Sequence, residues 1–213
     1  MIRHHSSRGA VLVLAAIALV VAGCAGVADP TRYYVLSSTS TSPGDSTPAA
    51  VSSAGVGVGP VLVPGYLNRT QIVTRNAAGE VEISTYHRWA EPLQAGIAQV
   101  LADDLAMRIG SERIAVFPWR GRIDPVLDYQ VVVVVLRFEG SPGGQVTLDA
   151  RWRLVGRGGK ELALKRTTIS EPVARDGYQA LVLGMNQVLG ALAHEIAIEI
   201  LQRADTRAST TTK

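Results

Sequence analysis

The sequence predicts an α+β fold: a largely antiparallel sheet packed against two amphipathic helices, an α/β sandwich. Three observations carry this. Two segments, 91–110 and 178–202, repeat apolar residues at helical spacing. Shorter segments rich in branched and aromatic residues alternate apolar with polar, as strands with one wet face do. The last three of these are joined by glycine-rich, hairpin-length turns, which sets them antiparallel.

Taken in order, "RYYVLSS" from residue 32 has the composition of a first strand. Residues 37–55 are almost entirely Ser, Thr, Pro, Gly and Ala with one charge, Asp45, and read as a flexible loop that cannot bury a core. Order resumes with "VGVGPVLVPGYLNRTQIVTR", where Val61, Val63, Ile72 and Val73 suggest strand pieces broken by glycine and proline. "NAAGE" at 76–80 makes a hairpin turn into "VEISTYH", whose Val81, Ile83 and Thr85 are expected on the buried side, opposite Glu82 and Ser84.

The period then changes. Leu93, Ile97, Val100, Leu101, Leu105 and Ile109 form one helical stripe, with Pro92 in the first turn and Gly110 placed to end the helix. "RIAVFP" is a short strand. "YQVVVVVLRF" (129–138) is apolar almost throughout and reads as a central strand buried on both faces. In "VTLDARWRLV", Val146, Leu148, Ala150, Trp152 and Leu154 face one way, and Thr147, Asp149, Arg151 and Arg153 the other. "GRGGK" turns the chain into "ELALKRTTIS". The closing helix carries Leu181, Val182, Met185, Val188, Leu189, Leu192, Ile196 and Ile200 on its buried side, and residues 203–213 read as a disordered tail.

The N-terminus is of another kind. Arg3, His4, His5 and Arg8 precede an uncharged apolar run, residues 10–22. That is a secretory signal's layout, too short for the roughly 20 apolar residues of a spanning helix. Val21-Ala22-Gly23-Cys24 fits a lipobox, so residues 1–23 are expected to be a lipoprotein signal peptide and Cys24, the only cysteine, the acylated N-terminus. Several acyl chains anchor firmly where one binds marginally. Residues 24–32 are then a short tether: from Cys24 to Tyr33 the chain spans at most about 30 Å. A single domain is expected over residues 33–202. With no cysteine left to pair, that domain is held together by its core alone. Ala25 follows the cysteine, and no aspartate does so immediately. That favours the outer membrane, facing the periplasm.

Composition bounds the chemistry. Hydrophobic residues are 47% of 213, enough for one sizeable core. The formal charge of +3 includes Arg3 and Arg8, which leave with the signal, so no nucleic-acid footprint remains. After processing only His87 and His194 are left. "HEIAIE" at 194 begins like a zinc-protease motif, but residue 198 is Ile where the second ligand would stand. "GVGVGP" and "GRGGKE" fail the spacing of phosphate-binding loops, and no GxSxG occurs. Asp103 and Asp104 are neighbours on a helix and diverge towards solvent. Neither enzyme nor cofactor is indicated. Arg151 and Arg153, with Arg137, Lys165 and Arg166, could form a basic stripe on the exposed sheet face, either simply solvated or touching lipid headgroups or an acidic partner.

Four stretches carry a resemblance: the lipobox followed closely by "RYYVL"; "VLVPGYLNRTQIVTR"; "YHRWAEPL" opening the first helix; and the closing helix. Together they resemble the ABC-type transport auxiliary lipoproteins, the PqiC (YmbA-like) family of Gram-negative bacteria, from Cys24 to about Gln202. The resemblance implies a non-catalytic accessory lipoprotein of a system moving lipids or other hydrophobic substrates between two membranes. The partners it implies are an MCE-domain protein and its inner-membrane transport complex. A homo-oligomer would suit such a pathway, though no residue pattern demands one. The competing readings are a stand-alone phospholipid-binding protein and a structural cell-envelope lipoprotein. As candidate partner contacts, Tyr66, Leu67 and Arg69 lie in a Pro/Gly-broken loop, and Arg88 and Trp89 where a strand passes into a helix. Trp89 is equally expected as a core residue packing the helix start.

Overall fold

The computed structural model describes residues 29–39, 54–76, 78–119 and 127–211, the side chains of 207–211 excepted. The signal peptide, Cys24 and most of the Ser/Thr-rich segment lie outside these residues. Residues 1–30 form one unit, of which Asp29 and Pro30 are described, and Thr31–Lys213 another. In the second unit the order is β1 (Arg32–Tyr34), β2 (Val56–Leu62), β3 (Gln71–Arg75), β4 (Val81–Trp89), α1 (Leu93–Ile109), β5 (Ile114–Val116), β6 (Tyr129–Gly140), β7 (Gln145–Gly156), β8 (Glu161–Pro172) and α2 (Tyr178–Thr211).

The α+β class is as the periodicities predict, but the strands form two mixed sheets. One is ordered β5-β2-β6-β7-β8, the other β1-β4-β3. The hairpins β6–β7, β7–β8 and β3–β4 are antiparallel, as their short turns require. β2 runs parallel to both β5 and β6, and β1 parallel to β4. Those pairings join strands separated by long connections, for which no turn signal exists.

Both helices pack on one face of the large sheet, α1 over β2 and β5, α2 over β7 and β8, and against each other. The predicted stripes are the ones buried: Leu93, Ile97, Val100, Leu101, Leu105 and Ile109 on α1, and Leu181 through Ile200 on α2. They meet Val146, Leu148, Ala150, Trp152 and Leu154 of β7, each fully or almost fully buried. Burying each larger apolar side chain contributes roughly 1.5–3 kcal/mol. Gly110 ends α1 in a left-handed conformation (φ 64°), its N–H donating to Ala106 O. α2 is long and apolar enough to cross a bilayer, yet most of its apolar stretch is buried in this core.

Four expectations are corrected. The segment after β1 is not free at its start. Leu36 is buried, Ser37 N–H donates to Asn186 Oδ1 (3.2 Å), and Ser38 Oγ donates to Asp104. Asp104 is accordingly fully buried rather than solvated, because Ser38 crosses the helix pair just there. At the other end, Gly55 N–H donates to Asp128 Oδ2 (2.7 Å). α2 does not stop at Gln202 but runs to Thr211, with Arg203 paired to Glu199 (2.8 Å) one turn back. Val81, Ile83 and Thr85 of β4 are all exposed, so this strand has no buried side at its hairpin end.

The strap formed by Leu36–Thr39 depends on Gly190 of α2. A Cβ there would collide with Thr39 Oγ1 and stand 3.6 Å from Asp104 Oδ2. Glycine inside a helix costs about 1 kcal/mol relative to alanine, so a space requirement explains its presence. Gly190→Leu is expected to destabilise by about 1–3 kcal/mol despite its better propensity, and to speed amide hydrogen exchange at Leu36–Thr39. A melting temperature at or above wild type would show that the strap does not need this gap.

Candidate functional site

Of the five candidate contacts, Tyr66 reaches the junction between the small sheet and the large one. The centre of that junction is Glu139, which no sequence motif marks, in the last turn-proximal stretch of β6. Its carboxylate is fully buried. It accepts from Tyr66 Oη (2.7 Å), Arg75 Nε (2.8 Å) and Arg137 Nε (2.8 Å), and from the backbone N–H of Phe138 (3.1 Å). Arg75 Nη1 also donates to Gly79 O (2.8 Å), and its guanidinium lies 5.7 Å from the Tyr66 ring centroid. One carboxylate thus ties β3, the 63–70 loop and β6 together.

The electrostatics follow from this geometry. Burial pushes the Glu139 carboxyl up, but the hydrogen bonds from Tyr66, Arg75, Arg137 and Phe138 outweigh it and hold the pKa below its ordinary 4.5. Tyr66 moves oppositely: burial first, then its hydrogen bond to Glu139, pushes the phenol up to about 12. The group therefore remains a charged carboxylate with a neutral phenol at neutral pH. It fixes geometry and has no group poised to exchange a proton near pH 7.

A second junction lies where the small sheet meets α2. The His87 ring stacks on Tyr178 (centroids 3.8 Å, 9° between planes), and its Nδ1 is 2.8 Å from Tyr34 Oη. Burial, and secondarily the charge of Arg32, lower the His87 pKa. His194 Nδ1 lies 3.3 Å from Arg108 Nη1. Among the described residues, no three His, Cys, Asp or Glu side chains gather closely enough to hold a metal.

Of the predicted contacts, Leu67 and Trp89 are corrected: both are buried in the core and present no surface. Trp89 is a buried member of the same core cluster as Leu93. Tyr66 spends its hydroxyl on Glu139. Arg69 and Arg88 remain. Each is half-buried, and its Nε is enclosed without a hydrogen-bond partner among the described residues. The basic stripe also shrinks. Arg166 is held bidentately by Asp149 (2.9 and 2.6 Å), and Arg137 by Glu139. Lys165 faces the helices, pairing with Glu199 at 2.8 Å. Arg151 and Arg153 are left exposed on the outer face of β7. The signal that could have located Glu139 is a carboxylate in an otherwise apolar strand, which demands a counter-charge.

Residues 34–197 match the family model described as the ABC-type transport auxiliary lipoprotein component. A search of curated proteins returns no match. Among solved structures, the chain resembles an uncharacterized protein at 21% identity and a TM-score of 0.63, covering 80% of this chain and 98% of that one. It also resembles a protein from Xanthomonas campestris at 17% identity and a TM-score of 0.64, covering 83% of this chain and 99% of that one. At such identities the likeness is one of fold.

Proposed function

The chain belongs to the ABC-type transport auxiliary lipoprotein family, and on that premise we propose that it is the membrane-anchored, non-catalytic accessory subunit of an intermembrane lipid-transport system. It is held by acylated Cys24 in the outer membrane, facing the periplasm, and docks an MCE-domain protein that bridges from an inner-membrane transport complex. The observation that carries this reading is the family match over residues 34–197 downstream of a lipobox cysteine. The short tether supports it: with at most about 30 Å between acyl group and domain, the domain stays by its membrane and the partner must come to it. Of the candidate contacts, Arg69 and Arg88 are the charged, half-buried side chains.

Crosslinking in intact cells followed by mass spectrometry tests the proposal, with Cys24→Ala as control. An MCE-domain protein should be recovered with wild type, and its yield should fall at least about tenfold in the control, because several acyl chains supply the membrane affinity. Recovery of phospholipid alone, or of peptidoglycan alone, would replace this reading with a lipid-binding or a structural one.

A further inference from the structure

β1 and β4 pair in parallel, with Arg32 opposite His87, Tyr33 opposite Arg88 and Tyr34 opposite Trp89. Side chains alternate faces along a strand. The inward face is fixed by Tyr34 meeting His87, His87 stacking on Tyr178, and Trp89 being buried. Tyr33 and Arg88 therefore share the outward face, and Tyr86 precedes Arg88 on β4 where the register with β3 shifts. Tyr33 is 64% exposed, Tyr86 51%, and Val35, the second residue on from Tyr33, 52%. Three large side chains thus stand in solvent along β1 and β4, and Arg88, half-buried, lies opposite Tyr33. Leu164 on β8 and Leu183 on α2 are exposed on other elements, and Val81 and Ile83 at the hairpin end of β4.

We propose that Tyr33, Val35 and Tyr86, with Arg88 opposite Tyr33, rest on the phosphate layer of the bilayer that holds the acyl anchor. The proposal rests on the reading of Cys24 as acylated. Three considerations select a lipid surface as occupant. β1 is the first strand after Cys24, and covalent geometry keeps Tyr33 within about 30 Å of that residue. Tyrosine, with an apolar ring and a polar tip, suits the membrane–water interface. Arginine adds attraction to anionic headgroups and matches phosphate with a fork of donors. The contact would hold the domain in one orientation on the membrane rather than tumbling on the tether.

Hydroxyl-radical footprinting of the mature protein reads this face directly. It would be done in vesicles of phosphatidylethanolamine and phosphatidylglycerol and again after solubilisation in detergent, each residue being normalised to its reactivity in the unfolded chain. Tyr33 and Tyr86 should be several-fold less reactive in vesicles, while Leu164 and Leu183 are unchanged. Equal reactivity of the tyrosines in both states overturns the proposal, as does protection that grows with protein concentration, which would mean a second copy covers the face. Both tyrosines are exposed, so Tyr33→Ser with Tyr86→Ser should leave the melting temperature intact. It should abolish the vesicle-dependent protection of Val35. The mass of the mature chain reports acylation separately. If Cys24 carries no acyl chain, the anchor reading fails by itself. Vesicle flotation of that chain then decides for the face: binding that the double variant weakens about tenfold upholds it, and absence of binding overturns it.

Discussion

Glu139→Ala is expected to lower stability by about 3 kcal/mol, which in a domain of this size means a melting temperature roughly 6–12 °C lower. Truncation removes one acceptor and leaves three side-chain donors, those of Tyr66, Arg75 and Arg137, without a partner. Breaking a buried ion pair costs about 3–5 kcal/mol when the remaining charge stays buried. Here the Arg75 side chain is 25% exposed and that of Arg137 44%, so both can recover some hydration, and the lower end applies. Glu139→Gln should be milder, because the amide can still accept from Tyr66. The carboxyl also sets the acid response. Its folded pKa is depressed below 4.5, so its contribution is fully present above that value and is lost as pH falls through the folded pKa. Wild type should therefore lose stability below about pH 4.5, and the alanine variant should lose less over the same range. Thermal melts of the two proteins from pH 7 to pH 3 check both the offset and its convergence. An unchanged melting temperature at pH 7 would mean the two sheets are not held by this carboxylate.

What the sequence discloses and what it hides divide along contact range. The stripes of both helices and the alternation in "VTLDARWRLV" are periodic within one element, and each of those apolar residues is buried as expected. Asp104 illustrates the opposite case. Local spacing on α1 puts it beside Asp103, but its burial is decided by Ser38, which reaches it from a strap before β2. Lys165 leaves the exposed stripe because the register of β7 with β8, which no local pattern fixes, sets it opposite Trp152 and towards α2. The site was the least legible part. Residue type and loop context point to Tyr66, Leu67, Arg69, Arg88 and Trp89, but cannot separate a side chain that anchors the fold from one that meets a partner. Leu67 and Trp89 proved to be anchors, and the centre, Glu139, joins to residues far away in the chain.

Trp152→Ala is expected to give the other large loss, about 3–5 kcal/mol. The indole is almost fully buried between β7 and α2, and its replacement leaves a cavity that a sheet held on both sides by β6 and β8 cannot close. The loss has a polar part as well. Trp152 Nε1 donates to Thr167 Oγ1 (3.0 Å), which in turn donates to Glu195 Oε2 of α2 (2.8 Å). Lys165 lies 5.6 Å from the indole centroid and pairs with Glu199 (2.8 Å) on the same helix. The indole therefore organises the polar margin of the sheet–helix contact as well as filling its interior. Trp152→Phe keeps most of the volume and should cost under about 2 kcal/mol. The two parts separate in a double-mutant cycle with Thr167→Val, read by denaturant unfolding. If the hydrogen bond contributes independently of packing, the cycle with Trp152→Phe should give a coupling of about 1 kcal/mol. A coupling near zero, with the full loss in Trp152→Ala retained, would assign the whole effect to the cavity and leave the Thr167–Glu195 bond as a separate tie between β8 and α2.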